Sequence, residues 1–200
     1  MKAILRFTTV FALLCCTATA SFAQAQQNVR IRATITAIDG DVLSLRSRDG
    51  TALKVLMNEK TTIATARALT LADLPKNAFV GVTAVKGPDG VLVARGLHMI
   101  PKTANEGHTE WDFEPGASMT NAYMEANVQT SSGSELTMVY KGGMQRVRVP
   151  VGTPVVATDP ADRSALVPGL YVFMAAQVGP DNTITALRIQ AEKAGVKPPQ

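Results

Sequence analysis

Beyond residue 25 the chain contains no cysteine, because its only two, Cys15 and Cys16, lie side by side near the start. That excludes a disulfide, a thiolate nucleophile and a cysteine-ligated metal from the rest of the chain. Aromatic residues are 5% of the sequence, with a single tryptophan, Trp111, and two histidines, His98 and His108. Readers of single-stranded nucleic acid stack bases on aromatic platforms, and Phe79 is the only aromatic residue between positions 26 and 102. Nucleic acid is therefore not an expected partner. No apolar run approaches the roughly 20 residues of a membrane-spanning helix. No glycine-rich phosphate loop is present, nor a nucleophile elbow around a serine. A Ser118, His108 and Asp112 set lacks that context, so no catalytic residue is assigned and the chain reads as a non-enzyme.

What is present begins with a leader. Lys2 and Arg6 bracket the start of an apolar run, residues 7–16, and small residues follow as far as Ala23-Gln24-Ala25. This is the order of a secretory signal peptide, which predicts cleavage after Ala25 and a periplasmic protein. Leu14 before Cys15 is too large for a lipidation signal. Loss of Lys2 and Arg6 lowers the formal net charge from +4 to +2, so capture of an anionic partner needs a local patch.

The remainder matches itself. Residues 35–45 set against 128–138 bring Gly40 onto Gly133, Leu43 onto Leu136 and Leu45 onto Met138. Further on, Ile63 meets Val156 and Pro75 meets Pro168, and Gly87-Pro88-Asp89-Gly90 lies on Gly179-Pro180-Asp181-Asn182. Turn signals in the same order predict two copies of one module. In the first copy Val29, Ile31, Ala33 and Ile35 alternate with Arg30, Arg32 and Thr34, the period of a half-buried strand. Asp39-Gly40 is a hairpin turn. Strands follow over 43–45 and 52–57, then a less regular stretch over 61–66, a helical turn capped by Thr70 and Asp73, and strands over 78–85 and 91–99. The second copy repeats this over 122–130, 135–140, 144–151, a turn at 160–166, 170–178 and 183–190.

Five strands with a short helix between the third and fourth is the order of an OB-type barrel. The expectation is all-β, with two tandem OB-like five-stranded barrels, residues 26–102 and 122–191, joined by an ordered linker, 103–121. Residues 1–25 are the signal peptide and 192–200 a disordered tail. The leader, the Leu-x-Leu strand after a glycine turn and the Leu-x-Asp-Leu turn resemble a bacterial exported family known as domain of unknown function 5666. So does the connecting segment, residues 106–112 and 115–122. The resemblance covers about residues 29–191 and implies small exported β-barrels without a settled activity.

Two surfaces are candidate sites. In the linker, His108, Glu110 and Asp112 alternate, and in an extended chain they share a face and supply one imidazole and two carboxylates to a divalent cation. The other reading of this stretch is a polar face backed by Trp111 and Phe113, packed against the barrels and fixing their orientation. The second surface is Arg30, Arg32, Arg46 and Arg48 on the polar faces of the first two strands, a candidate contact, with Trp111, for a partner protein or an envelope polymer. The scattered methionines suit Cu(I) by chemistry, but no Met-x-x-Met or Met-x-Met cluster gathers them. The leading expectation is a binding protein of the envelope. The alternative is a metal-binding or metal-stress protein using the linker.

Overall fold

Alternation in the first segment produces a strand, β1 (Gln27–Asp39), that buries Ile31, Ala33 and Ile35 and turns its arginines outward. The computed structural model describes residues 26–198. The expected signal peptide lies outside the described residues. Gly40, at φ 54°, takes the left-handed conformation that the Gly40-Asp41 turn requires. It leads into β2 (Val42–Ser47) and β3 (Ala52–Leu56). Then come β4 (Thr62–Leu69), a 3-10 turn (Leu71–Asp73), β5 (Phe79–Lys86) and β6 (Leu92–Met99). The Asp73 carboxylate accepts from the backbone N–H and the hydroxyl of Thr70, which fixes the start of that turn. The second half supplies β7 (Gly107–Glu110), β8 (Ala117–Thr130), β9 (Gly133–Tyr140), β10 (Gly143–Pro150) and β11 (Val155–Ala161). A second 3-10 turn (Arg163–Ala165), β12 (Tyr171–Val178) and β13 (Ile184–Ala191) complete it. The protein is all-β, and among the described residues no helix is long and apolar enough to cross a membrane.

The strands form one continuous mixed sheet, and two extra pairings close it on itself twice. One ring runs β1–β2–β3–β13–β12 and back to β1, closed by the parallel contact of β3 with β13. The other runs β8–β9–β10–β6–β5 and back to β8, closed by the parallel contact of β10 with β6. Each ring encloses its own core. Ile35, Leu43, Leu45, Val55, Met174 and Ile189 fill the first; Val80, Val82, Leu97, Leu136, Met138 and Val147 fill the second. Three strands of each ring come from one half of the sequence and two from the other. The boundary expected between residues 26–102 and 122–191 therefore does not separate the two cores.

The cause is the stretch expected to be irregular. Residues 62–69 form a strand, and at about 3.3 Å per residue it carries the chain roughly 26 Å away from the ring it has just left. Ile63 at its start packs in the first core and Leu69 at its end against the second. Strand β11, of which only residues 160–161 fall in the expected turn and the rest in no expected element, makes the opposite journey, from Val155 in the second core to Ala161 against the first. The two cross as an antiparallel pair in which Arg67 faces Ala157 and Ala64 faces Pro160. Their flanks pair with β13 and β6, so the rings share one uninterrupted sheet.

Two further expectations are corrected. Gly133 does not sit at a turn tip like Gly40; it opens β9 opposite Pro150. The tip is Ser131-Ser132, because the hairpin of β8 and β9 runs two residues per strand beyond the hairpin of β1 and β2. Met124, not Val128, therefore takes the place of Ile35 beside the β-bulge. The tail, expected to be disordered from residue 192, is ordered as far as Pro198. Lys193 bridges Val196 through a turn at Ala194 and Gly195, and Glu192 anchors to the backbone of Tyr171.

Candidate functional site

The connecting segment is a hairpin. Strand β7 pairs with the first turn-proximal residues of β8, placing His108 opposite Thr120 and Glu110 opposite Ser118. Pairing ends at Glu110, and residues 111–116 form the tip, closed by a hydrogen bond from the Trp111 N–H to the Ala117 carbonyl. The base of this hairpin belongs to the second ring. Its tip reaches the first.

There it meets the arginines of β1 and β2. The Arg30 guanidinium lies 3.8 Å from the centroid of the Trp111 ring. Arg32 Nη2 donates to Asp112 Oδ1 at 2.9 Å, and Arg30 Nη1 stands 3.8 Å from the same oxygen. Arg48 Nη1 donates to the Phe113 carbonyl at 3.1 Å, with its guanidinium 5.2 Å from the Phe113 ring. Arg32 is the hub: its side chain is only 8% exposed and lies between the rings of Phe113 and Phe173. Stacked guanidinium groups of this kind are favourable when desolvated. Arg95 Nε donates to Glu114 Oε1 at 2.6 Å and ties down the far side of the tip. Burial pushes the Asp112 carboxyl up, but the Arg32 hydrogen bond and the charges of Arg32 and Arg30 outweigh it and hold the group below its ordinary range.

Two of the sequence's candidate surfaces are thus partners of one another. Arg30, Arg32, Arg48 and Trp111 come together, joined by Asp112. Arg46 does not join them: it sits one pair further along, opposite Thr34, with its guanidinium toward the Gly50 carbonyl at 3.4 Å. His108, Glu110 and Asp112 do not converge. The strand ends before Asp112, so alternation no longer applies, and the Asp112 carboxylate is committed to Arg32. His108 Nδ1 is bonded to Thr120 Oγ1 at 2.8 Å, beside a groove of about 900 Å³ lined by Lys86, Glu110 and Glu114 among others. Burial, then the charge of Lys86, lowers the His108 pKa. Among the described residues no three His, Cys, Asp or Glu side chains are placed to hold a metal ion. Met57, Met119, Met124, Met138 and Met174 are buried as packing groups.

Sequence reasoning missed Phe173 as the floor under Arg32, and the burial of His98. His98 is 4% exposed, its Nδ1 has no partner, and its ring lies against Gly81. A Cβ on Gly81 would stand 2.5 Å from His98 Cε1, so glycine is what admits the ring. Burial, and secondarily Arg188, pushes the His98 pKa down to about 3. The sequence signal was a histidine between apolar neighbours, Leu97 and Met99. A groove of about 460 Å³ remains beside the docked tip, lined by Arg30, Arg32, Arg48, Leu53 and Asp112 with their neighbours. Comparison of the chain with family profiles, with curated proteins and with solved structures returned no match.

Proposed function

We propose that this is a non-enzymatic, exported binding protein of the cell envelope, whose arginine-bearing face on the first ring takes an acidic partner protein or envelope polymer. The observation that supports it is the character of that face. It engages a loop carrying a carboxylate and two aromatic side chains, and a groove rimmed by Arg30 and Arg48 is left beside the loop. In a chain of net charge near +2, three arginines set against two carboxylates, Asp49 and Asp112, leave this groove net positive, the local patch that capture of an anion requires.

The same reading includes an origin. Each ring follows the strand order one-two-three-five-four, with strands three and five parallel, as in OB-like barrels, but with the last two strands exchanged between halves. The crossing of β4 and β11 supports duplication of one module, since in the self-comparison Ala64 matches Ala157 and Arg67 matches Pro160, and these pair isologously. Export rests on the leader. Kinship with the exported family of unknown function rests on the quoted motifs.

The test is capture of envelope components by immobilised protein, comparing wild type with an Arg30→Ser, Arg46→Ser, Arg48→Ser variant. Arg32 is kept because it is buried. Recovery should fall at least about fivefold and should also fall with salt, as exposed charges are screened within about 10 Å at 0.1 M. Equal recoveries at every salt concentration would remove the arginine face from the function.

A further inference from the structure

We infer that the Arg30–Arg32–Arg48 face is a recognition site for an acidic peptide segment flanked by aromatic side chains, and that residues 111–113 are its built-in occupant, which a partner's segment displaces. The inference rests on the binding reading above and adds the ligand class and its regulation.

The occupant displays the specificity. Trp111 lies against one guanidinium, the Asp112 carboxylate takes a second, and the Phe113 backbone carbonyl takes the third. A peptide supplies all three features from consecutive residues: a ring, a carboxylate and a main-chain acceptor. An acidic polysaccharide supplies the carboxylate and hydroxyl acceptors but no aromatic ring to lie against Arg30.

The occupant also fits imperfectly. Arg32 is nine-tenths buried, yet Asp112 engages only its Nη2, and Arg32 Nε is buried without a partner. A carboxylate lying side-on to a guanidinium takes Nε and Nη2 together, the stronger bidentate arrangement. Trp111 Nε1 is likewise buried without a partner. Buried donors left unmet weaken the state that contains them. A free peptide, not held by a hairpin, can turn its carboxylate to meet Arg32 Nε where the tethered Asp112 does not.

Release of the tip is local. The hairpin base is held by pairing of residues 107–110 with β8 and the far side of the tip by Arg95 of β6, while residues 111–113 touch the first ring through side chains and one carbonyl. The tip can leave with the base still paired.

The experiment uses the full mature chain and a labelled, end-blocked peptide with the chain's own sequence 110–114, Glu-Trp-Asp-Phe-Glu. Asp112→Ala disables the internal competitor and should bind this peptide at least about fivefold more tightly than wild type. Asp112→Asn serves if the alanine variant loses its β-sheet circular dichroism. Arg30→Gln with Arg48→Gln should weaken binding at least about fivefold, and a peptide with Asn in place of Asp should not bind. Saturating peptide should speed amide exchange in residues 111–116 of wild type and leave 107–110 unchanged. The inference is overturned if the Asp112 variants bind no tighter than wild type, or if exchange in the tip does not respond. Polygalacturonate is the other arm. If it binds and frees the tip while the peptide does neither, the peptide site is wrong though the binding function stands. If envelope capture is insensitive to the arginines, the function itself falls.

Discussion

Across β13, β12 and β1 the first ring carries the outward row Gln190–Phe173–Arg32, and across β6, β5 and β8 the second carries His98–Gly81–Asn121 in the same places. Where the first ring has a phenylalanine, the second has a glycine. Phe173 gives Arg32 an apolar floor and so builds the arginine site, whereas Gly81 opens room for an imidazole. The next row repeats the contrast. Tyr171–Thr34–Arg46 on the first ring stands against Phe79–Tyr123–Val139 on the second, where Phe79 and Tyr123 stack at 4.8 Å and Val139 is followed by the exposed Met144. Inside, Leu43 and Leu45 correspond to Leu136 and Met138, all buried. Closing a ring constrains the inner residues of both alike, because a small core tolerates little change of volume. The outer rows are free to differ, and function is carried by such outer sites and not by the fold.

The largest expected effect comes from cutting the two rings apart at the sequence boundary. Residues 26–102 alone hold three strands of one ring and two of the other, and neither core. Expressed separately, 26–102 and 103–200 should each lack a cooperative monomeric unfolding transition. Mixing them should restore β-sheet circular dichroism and cooperative melting. A monomeric 26–102 that melts cooperatively, with its mass checked by sedimentation, would break the strand-exchanged arrangement and return each ring to one half of the chain.

Next is the pair of hairpin glycines that the sequence set against each other. Gly40 has φ 54° with nothing within 4 Å of an added Cβ, so Gly40→Ala should cost only the left-handed backbone, about 1 kcal/mol. Gly133 has φ 141°, and a Cβ there would stand 2.1 Å from the Val149 carbonyl oxygen. Backbone must move, and Gly133→Ala should destabilise by about 3 kcal/mol or more. Urea unfolding of both variants checks this, and equal losses would contradict the displaced second hairpin.

Much of this was legible in the sequence. Period-two alternation located Ile31, Ala33 and Ile35 as one buried face, and the glycine and proline turns located most strands. What hid was pairing at a distance. A strand such as 62–69, with Arg67 and Ala68 exposed and its apolar ends in two different cores, shows no single alternating face, so it read as irregular. Nothing local in residues 111–113 announces that they meet β1, some 80 positions away in sequence. The arginine face and the linker were both visible; their contact was not, because linear spacing does not encode which face a hairpin tip meets.

The smallest effect discriminates the two junction positions. Gln190 and His98 are counterparts, 5% and 4% exposed, and each leaves one polar atom unpaired. Only His98 titrates. Its pKa is about 3 in the folded protein against 6.5 ordinarily, because burial disfavours the charged ring. Below pH 6.5 the unfolded chain therefore takes up a proton that the folded protein refuses. The stability contributed by the neutral ring is fully present above pH 6.5 and is lost as pH falls toward 3, at about 1.4 kcal/mol per pH unit. Between pH 6.5 and 4.5 the loss from this residue is about 2–3 kcal/mol. His98→Gln copies the first ring into the second and should remove that slope. Carboxylates contribute to acid lability in both proteins, so the quantity to compare is the difference between wild type and variant in urea-unfolding free energy at pH 7, 6, 5 and 4.5. A difference that narrows or reverses in favour of the variant as the pH drops places a neutral imidazole between the rings. Parallel curves would mean that His98 reaches solvent, and the two junctions would then be alike.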